Sequence, residues 1–293
     1  MNESTPTVGE LLRDAENLLA ATSSSARLDT EVLLAHALGV SRTSVLISLR
    51  DPCPVEASTV FHGYVVRRAA GEPVAYITGE REFWGLSFLV SPDVLVPRPE
   101  TELIVEEALR ILHTIQSPRV LDMGTGSGCI GISIAHELAK RGTRDHYCTL
   151  LDKSPQALSV AKQNAERQGV EQYVDFVESA WFENAAALRP PYDLIVSNPP
   201  YVPPGEIVPR ELSYEPQGAL YSNDDGLRDT KIILEEAKLF LKPHGTVLIE
   251  VGAGKRGYLK RYVREGACPA SIEYVGDDTA ADRFTVLRCV YAL

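Results

Sequence analysis

The chain has 293 residues, of which 44% are hydrophobic and 24% charged, a composition typical of a globular protein with one large domain or two moderate ones. No apolar run reaches the roughly 18–20 residues of a membrane span, and residues 1–6 lack the basic start and apolar core of a secretory signal. We therefore expect a cytoplasmic location and no membrane partner. The formal net charge of -11 weighs against a general nucleic-acid binder, so no direct nucleic-acid contact is expected.

The cysteines and histidines show no spacing typical of a metal site. The five cysteines are scattered without a Cys-x-x-Cys pair, which predicts reduced thiols, and the six histidines have no ligand spacing. We therefore expect no metal. The basic pairs Arg67-Arg68 and Lys255-Arg256 leave a local basic patch open.

Residues 1–73 predict a small helical domain. Thr7 and Glu10 have the spacing of a capping box, and apolar residues then recur at helical spacing. Further helices are predicted from Asp29, closed by Gly39, and over residues 41–49 and 56–70. We interpret this domain as substrate-recruiting, with a purely structural cap as the alternative.

Residues 74–99 predict a linker between two domains. The apolar segments 74–79 and 83–90 favour two strands of a β-hairpin around a polar turn. Pro97 and Pro99 then favour an extended arm until a helix begins at Glu100 or Thr101. The arm could lie over a cofactor as a lid, or it could be a stiff connection only.

Residues 100–293 alternate between strand and helix patterns. This alternation predicts a doubly wound α/β sheet whose ligands bind at the carboxyl ends of its strands. Predicted strands cover residues 120–123, 147–152, 173–177, 192–197, 245–251, 271–275 and 283–291, and predicted helices cover residues 129–140, 154–168 and 225–241.

Three glycines directly follow the first predicted strand of this sheet. Gly124, Gly126 and Gly128 would permit the positive φ and the close backbone approach that a bound nucleotide-like ligand needs. With Gly131, the last two also match G-x-G-x-x-G, the dinucleotide fingerprint. We interpret that match as beginning too far after the strand for a dinucleotide site, because Gly124 already occupies the turn directly after the strand.

Two acidic residues and a tryptophan are the other predicted ligand contacts. Asp122, at the end of the first strand, could bond the charged amino end of a ligand, directly or through water. Asp152 ends the second strand and could accept both ribose hydroxyls of an adenosine. Trp181 follows the third strand and could border the adenine.

The corner Ser197-Asn198-Pro199-Pro200-Tyr201 follows the fourth strand and indicates the chemistry. An amide or aromatic amine shares its lone pair with a π system, so it is a poor nucleophile that must be oriented and kept dry. The Asn198 side chain and the Pro199 main chain would offer carbonyl acceptors held by two prolines, and Tyr201 a flat stacking face. Together with the glycines, the corner predicts methyl transfer to a planar nitrogen.

The sequence resembles the family of peptide chain release factor glutamine methyltransferases over almost the whole chain. These are S-adenosylmethionine-dependent enzymes, so the resemblance implies a seven-stranded Rossmann-like methyltransferase sheet (100–293), a small N-terminal helical domain (1–73) and a β-hairpin and extended linker (74–99). The motifs that carry it are Gly71–Gly79, Phe83-Trp84-Gly85, Val96-Pro97-Arg98-Pro99-Glu100-Thr101-Glu102, Leu121–Gly128 and Ser197–Tyr201.

The resemblance implies methylation of the side-chain amide nitrogen (N5) of the glutamine in the Gly-Gly-Gln loop of class-1 peptide chain release factors. S-adenosyl-L-methionine would be the donor and S-adenosyl-L-homocysteine the product. Implied cofactor contacts, added to Asp122, are Gly124, Thr125, Gly126, Ser127, Gly128, Asp152, Trp181 and Asn198. Implied substrate contacts are Asn198, Pro199, Pro200 and Tyr201, of which Asn198, Pro199 and Tyr201 are predicted to be catalytic. Ala180 departs from the family, which often has an acid there, beside adenine.

Three alternatives remain at the level of the sequence. The nearest is another amino methyltransferase, acting on DNA adenine or on a ribosomal protein. An NAD-dependent dehydrogenase would use the Gly126-x-Gly128-x-x-Gly131 match, although hydride transfer has no use for the asparagine corner. A non-catalytic adaptor is the third.

Overall fold

A computed structural model describes residues 5–143, 145–252, 254–266, 270–275 and 284–291. The chain divides into two compact units. The first comprises Met1–Glu80 and Val208–Tyr214, and the second comprises Arg81–Ile207 and Glu215–Leu293. Within the described ranges, every helix is too short or too polar to cross a membrane.

The first unit is a bundle of helices around its own apolar core. Its helices are α1 (Val8–Leu19), α2 (Ala26–Leu38), α3 (Arg42–Ile47), α4 (Val55–Ala69) and α5 (Val74–Thr78). The predicted capping box is confirmed, because Thr7 accepts from the Glu10 main chain while the Glu10 side chain bonds back to Thr7. The helix predicted from Asp29 begins three residues earlier, and Gly39 ends it in a left-handed conformation, as expected.

Three cations of the two basic pairs that the sequence left open as a local patch have partners within the protein. Arg68 is only 6% exposed and donates to Asp29 at 2.7 Å, while Arg67 forms two bonds with Glu72. In the second unit, Lys255 donates to the main chain of Asp225. These cations are therefore engaged within the protein.

The hairpin prediction is wrong in its first strand. Residues 74–78 form helix α5, because Pro73 precedes it, a left-handed Gly79 ends it, and the helix buries Ile77 in the core of the first unit. The hairpin lies later, as β1 (Glu80–Phe83) and β2 (Leu86–Leu89). Its turn residues, Trp84 and Gly85, both have positive φ, which suits the twist of a two-residue hairpin turn.

The second unit contains the predicted seven-stranded sheet. Its strands are β3 (Arg119–Met123), β4 (Tyr147–Asp152), β5 (Val174–Glu178), β6 (Tyr192–Ser197), β7 (Leu241–Gly252), β8 (Ala270–Val275) and β9 (Phe284–Tyr291). Their order in the sheet is β5-β4-β3-β6-β7-β9-β8. The first five are parallel to their neighbours, and β9 runs antiparallel to both β7 and β8. Arg283, predicted to begin the last strand, lies outside the described residues.

Helices cover both faces of this sheet, as a doubly wound fold requires. They are α6 (Glu102–Leu112), α7 (Cys129–Lys140), α8 (Pro155–Gln168), α9 (Gln217–Leu220), α10 (Asn223–Gly226), α11 (Arg228–Glu236) and α12 (Arg256–Arg264). Helices α6, α7 and α8 bury their apolar sides in one core, and α11 and α12 bury theirs in a second core. Strand β3 serves both cores, since Val120 belongs to the first and Leu121 to the second.

The long helix predicted over residues 225–241 is wrong. Asp224 and Asp225 have positive φ, which breaks the helical path before α11 begins at Arg228. A short 3-10 turn follows at Ala237–Leu239, and Leu241 is already the first residue of β7. The apolar residues that were interpreted as one helix thus belong to a helix, a turn and the start of a strand.

Candidate active site

The register of two neighbouring strands brings the predicted motifs together. Strands β3 and β6 are parallel, and Met123 pairs with Ser197 at their carboxyl ends. The Ser197 hydroxyl donates to the Met123 carbonyl at 2.7 Å, which ties the two ends to each other. Gly124 and Asn198 therefore leave the sheet at the same level, although they lie far apart in sequence. The sheet order changes direction between these strands, where ligands of open α/β sheets bind.

A cavity of about 320 Å³ lies at these strand ends. The predicted site residues that line it are Gly124, Thr125, Gly126, Ser127, Asp152, Trp181, Asn198 and Pro200. Four other predicted residues, Asp122, Gly128, Pro199 and Tyr201, are not among its lining residues. The glycine loop and the asparagine corner nevertheless share one cavity.

Hydrogen bonds to main-chain groups hold the glycine loop. Gly126 donates its N–H to Oδ2 of Asp152 at 2.9 Å, and Thr125 donates its N–H to the Leu151 carbonyl at 2.9 Å. The other Asp152 oxygen accepts from the N–H of Ser154. Burial raises the pKa of Asp152, and these backbone donors oppose that rise. Asp152 therefore shapes the loop while it lines the cavity.

Gly128 has a packing role in this structure. Its φ is +83°, and a Cβ there would lie 2.5 Å from Cδ1 of Ile132 and 3.2 Å from Cβ of Ala161. Glycine is therefore needed for close packing of the first turn of α7, and the ligand contact predicted for it stays a prediction.

Asp122 lies beneath the loop and does not reach the cavity. It is fully buried, and its Oδ2 accepts from the Thr125 hydroxyl at 2.6 Å and from the Gly131 N–H at 2.9 Å. Burial raises the pKa of Asp122 to about 6, because the charged form loses its water. The structure thus gives Asp122 a supporting role beneath the loop, and its predicted contact with the amino end of a ligand, directly or through water, stays a prediction.

Trp181 borders the cavity in a strained conformation. Its φ is +50°, which is unusual for a bulky residue, and its indole N–H donates to Asp229 at 2.8 Å. The ring lies beside Gly124, 3.6 Å from where a Cβ would be. Asp229 was not predicted, yet it fixes the plane of this ring.

The extended arm before α6 lines a further side of the cavity. Asp93, Val94, Leu95, Pro97 and Arg98 all contribute to the lining. Glu215, whose side chain is fully buried, accepts from the Val96 N–H at 3.0 Å and from the Arg98 guanidinium at 2.5 Å. A carboxylate well over a hundred residues away in sequence therefore clamps the arm.

The asparagine corner is held by a chain of side chains. Nδ2 of Asn198 donates to the Thr101 hydroxyl at 3.1 Å, and that hydroxyl donates to Oε2 of Glu250 at 2.6 Å. The Tyr201 hydroxyl donates to Oε1 of Glu250 at 3.5 Å. Burial raises the pKa of Glu250 to about 7, with Glu100 adding to the rise and Arg98 opposing it.

Tyr201 is held away from the cavity lining. A Cβ on Gly252 would lie 2.9 Å from its ring, and one on Gly226 would lie 2.1 Å from its carbonyl oxygen, so both glycines make room for it. Burial and the Glu250 carboxylate raise the pKa of its hydroxyl, which therefore stays protonated. The Tyr201 hydroxyl thus bonds Glu250, and the stacking face predicted for its ring stays a prediction.

Cys129 also lines the cavity, but as an uncharged thiol. Burial, with the nearby Asp122, raises its pKa to about 12, so it is not a thiolate nucleophile. Over the part of the chain that the structure describes, no cluster of His, Cys, Asp and Glu is arranged to hold a metal ion.

Several site residues were not predicted, and the sequence indicates some of them more clearly than others. Glu250 interrupts the apolar run 247–251, and a charge in such a run signals a buried functional carboxyl. Asn164 is fully buried on α8, where its amide donates to the carbonyls of Ser127 and Leu89. Thr101 belongs to a motif that carries the resemblance, but its bond to Glu250 could not be predicted because the two residues are distant in sequence.

Comparisons with known proteins agree with this architecture. Residues 10–79 match the family model of the PrmC N-terminal domain, and residues 116–271 match a methyltransferase domain model. The catalytic domain of hMettl16, solved in complex with a 3′UTR hairpin, has a similar fold, with a TM-score of 0.54 and 17% identity. That likeness covers 77% of this chain and 81% of the other.

Curated relatives extend over nearly the full length. A release factor glutamine methyltransferase from Burkholderia pseudomallei is 40% identical over 279 residues, which cover 92% of this chain and 94% of the relative. One from Geobacter sulfurreducens is 40% identical over 248 residues, covering 83% and 84%. One from Xylella fastidiosa is 39% identical over 274 residues, covering 93% and 96%.

Proposed function

The chain belongs to the release factor glutamine methyltransferase family, and we propose that it methylates the side-chain amide nitrogen (N5) of the glutamine in the Gly-Gly-Gln motif of class-1 peptide chain release factors. The methyl donor would be S-adenosyl-L-methionine, leaving S-adenosyl-L-homocysteine. The observation that carries the proposal is the shared cavity, in which Gly124 and Asn198 leave neighbouring strands at the same level. This substrate places the reaction in the cytoplasm.

The residues of the cavity fit such a donor. The positive-φ turn at Gly124 and Gly126 lets a ligand approach the backbone, and Asp152 offers carboxylate oxygens suited to ribose hydroxyls. Trp181 offers an aromatic face suited to adenine. Bound there, S-adenosylmethionine would supply an electrophilic methyl group. Ala180 lines the cavity without the acid common at this position, so we expect adenine to be held mainly by contact with Trp181.

Asn198 would orient the acceptor. Its side-chain oxygen and the main-chain carbonyl of Pro199 would accept hydrogen bonds from the two protons of the glutamine NH₂ group. As the nitrogen attacks the methyl carbon in line with the breaking C–S bond, the nitrogen becomes positive. The two carbonyls then stabilise the transition state more than the ground state. The surplus proton leaves to water after transfer, and positioning supplies most of the acceleration.

The helical first unit would recruit the release factor. Its surface exposes large apolar side chains, including Ile47 (82% exposed) and Val55 (64%), which a protein partner could cover. Changing both to Asp should raise KM for the release factor and leave kcat nearly unchanged. An unchanged KM would support a purely structural cap instead.

Mass spectrometry after incubation with deuterium-methyl donor tests the proposed reaction. We expect one added methyl group on the glutamine of the Gly-Gly-Gln peptide of the release factor. A release factor with glutamate at that position is the control, because it lacks the acceptor nitrogen and should remain unlabelled. Label at another residue, or in DNA or ribosomal protein offered in the same assay, would contradict the proposal and support the rival amino methyltransferases.

A further inference from the structure

Asn198 must present its oxygen, not its NH₂ group, for the proposed function to work. The two ends of a carboxamide have nearly the same shape, so a rotation by half a turn would exchange the acceptor for a donor. A donor would face the two N–H bonds of the substrate and repel them. Something in the protein must therefore select one orientation.

The buried chain beside Asn198 can make that selection. An ionised carboxylate only accepts hydrogen bonds, so Glu250 takes the single proton of the Thr101 hydroxyl. The Thr101 oxygen can then only accept from Asn198, which requires the NH₂ end of the carboxamide at that side. Thr101 is 2% exposed and Glu250 1% exposed, so water does not compete for the bond between them, whereas Thr101 and Asn198 both line the cavity.

We propose that Thr101 and Glu250 are positioning residues that fix the Asn198 carboxamide with Oδ1 available to the substrate amide. The inference rests on the proposed function and adds the device that makes Asn198 an acceptor. Neither residue needs to react, because both act through Asn198. Tyr201 completes the device by donating to the other oxygen of Glu250.

The charge on Glu250 determines the direction of the hydrogen bonds that run from Asn198 through Thr101 to Glu250. If Glu250 becomes protonated, its carboxyl can donate to Thr101, and the Thr101 proton is then free to turn towards Asn198. Thr101, Tyr201, Glu100 and Arg98 act on this carboxyl, and the Cys129 thiol, which is uncharged, also faces it. The pKa of Glu250 is raised to about 7. The orientation of the Asn198 carboxamide is therefore fixed above that pH, and this lock weakens as the pH falls through it.

Two variants at Thr101 separate the hydroxyl from the shape of the side chain. Thr101→Val keeps the shape and removes the acceptor for Asn198, so we expect a single-turnover rate roughly 10- to 100-fold lower, since one preorganised group in a transition state is worth about that much or more. Thr101→Ser restores the hydroxyl and should recover most of the rate. Thr246→Val, four residues before Glu250 on β7, is the control for loss of a buried threonine hydroxyl and should match wild type.

Glu250→Gln tests the direction of the chain, since a Gln side chain can either accept or donate at Thr101. We expect wild type to lose rate as the pH falls through about 7 at saturating donor, and we expect Glu250→Gln to have a lower rate without this acid limb. A merely structural role would lower stability without moving the pH profile. Equal rates for Thr101→Val and wild type, or an acid limb that persists in Glu250→Gln, would overturn the proposal.

A readout without turnover separates this proposal from the proposed function. In full-length protein labelled with ¹⁵N-asparagine, the Asn198 side-chain NH₂ signal, identified by its loss in Asn198→Ala, should shift between about pH 6 and about pH 8 because of the titration of Glu250. The shift should vanish in Glu250→Gln. A signal that does not move with pH in wild type contradicts the lock, whereas failure to methylate any release factor contradicts only the function.

Discussion

The glycine loop after β3 and the asparagine corner after β6 lie at the same level of the sheet, yet different kinds of contact hold them. The loop is fixed by main-chain N–H groups, with Gly126 donating to Asp152 and Gly131 to Asp122. At the corner, a chain of side chains runs from Asn198 through Thr101 to Glu250.

This difference predicts which substitutions the glycine loop and the asparagine corner each tolerate. A site made of backbone groups depends on glycine conformation and on the carboxyls that accept from it, so damage there should change donor affinity. A site made of one oriented side chain depends on its identity and its neighbours, so damage there should change the rate. Three of the following four substitutions test this division, and Asp122→Asn tests the pKa of the carboxyl beneath the loop.

Asn198→Ala should have the largest effect. Loss of the acceptor should lower the single-turnover methylation rate by about 10²–10³-fold, while donor affinity by calorimetry stays within a few-fold of wild type. Asn184→Ala, at an exposed asparagine that bonds the Glu178 carbonyl, is the control. If donor affinity falls as much as the rate, the division between the two ends is wrong.

Asp122→Asn should change stability in a pH-dependent way. The folded-state pKa of Asp122, about 6, lies above its ordinary value of 3.8, so its contribution to the free energy of unfolding is greatest below about pH 4 and is lost as the pH rises through 6. The loss is about 3 kcal/mol for a shift of this size. Urea unfolding should show Asp122→Asn gaining about that much relative to wild type between about pH 4 and about pH 8.

A difference in stability that stays constant with pH would show that Asp122 titrates normally. The amide nitrogen of the variant takes the place of Oδ1, which has no partner among the described residues, so it adds a cost independent of pH. That cost cancels when the two proteins are compared across the pH range.

Asp152→Asn should weaken donor binding. The amide can accept from only one of the two N–H groups that Asp152 now serves, Gly126 and Ser154, and the mismatch costs about 1–2 kcal/mol, or roughly tenfold in affinity. The rate at saturating donor should change little. Asp175→Asn, at a surface ion pair with Arg189, provides the comparison. A large fall in the saturated rate would mean that the loop also contributes to catalysis.

Ser197→Ala should have the smallest effect and touch both ends. It removes the bond to the Met123 carbonyl, so we expect about 1 kcal/mol lower stability, with donor affinity and rate falling together by a small factor. Ser133→Ala is a matched control, because that buried hydroxyl has no partner within the described chain. Equal stability of the two variants would show that the strand ladder alone sets the register.

The sequence predicted the elements next to the cavity well. Strands β4 and β6 and helix α7 begin and end where expected, because β4 and β6 are largely apolar runs and Gly128 directly precedes α7. The prediction failed where local preference and packing disagree. Residues 74–78 are apolar and partly β-branched, yet burial of Ile77 in a helical core makes them a helix.

The contents of the cavity were predictable only in part. Gly124, Asp152 and Asn198 stand at strand ends, where a sheet topology places them together. The clamp from Glu215 to Val96 and the bond from Thr101 to Glu250 join residues more than a hundred positions apart. No local pattern encodes such a pairing, so only the folded chain reveals it.

The clamp on the arm also provides an intrinsic reporter. The Val96 amide proton is bonded to a fully buried carboxylate, in a segment that forms a wall of the cavity. That proton can exchange with heavy water only when the wall opens. Its exchange rate therefore measures how often the cavity wall opens, and it can be measured in the unlabelled, full-length protein.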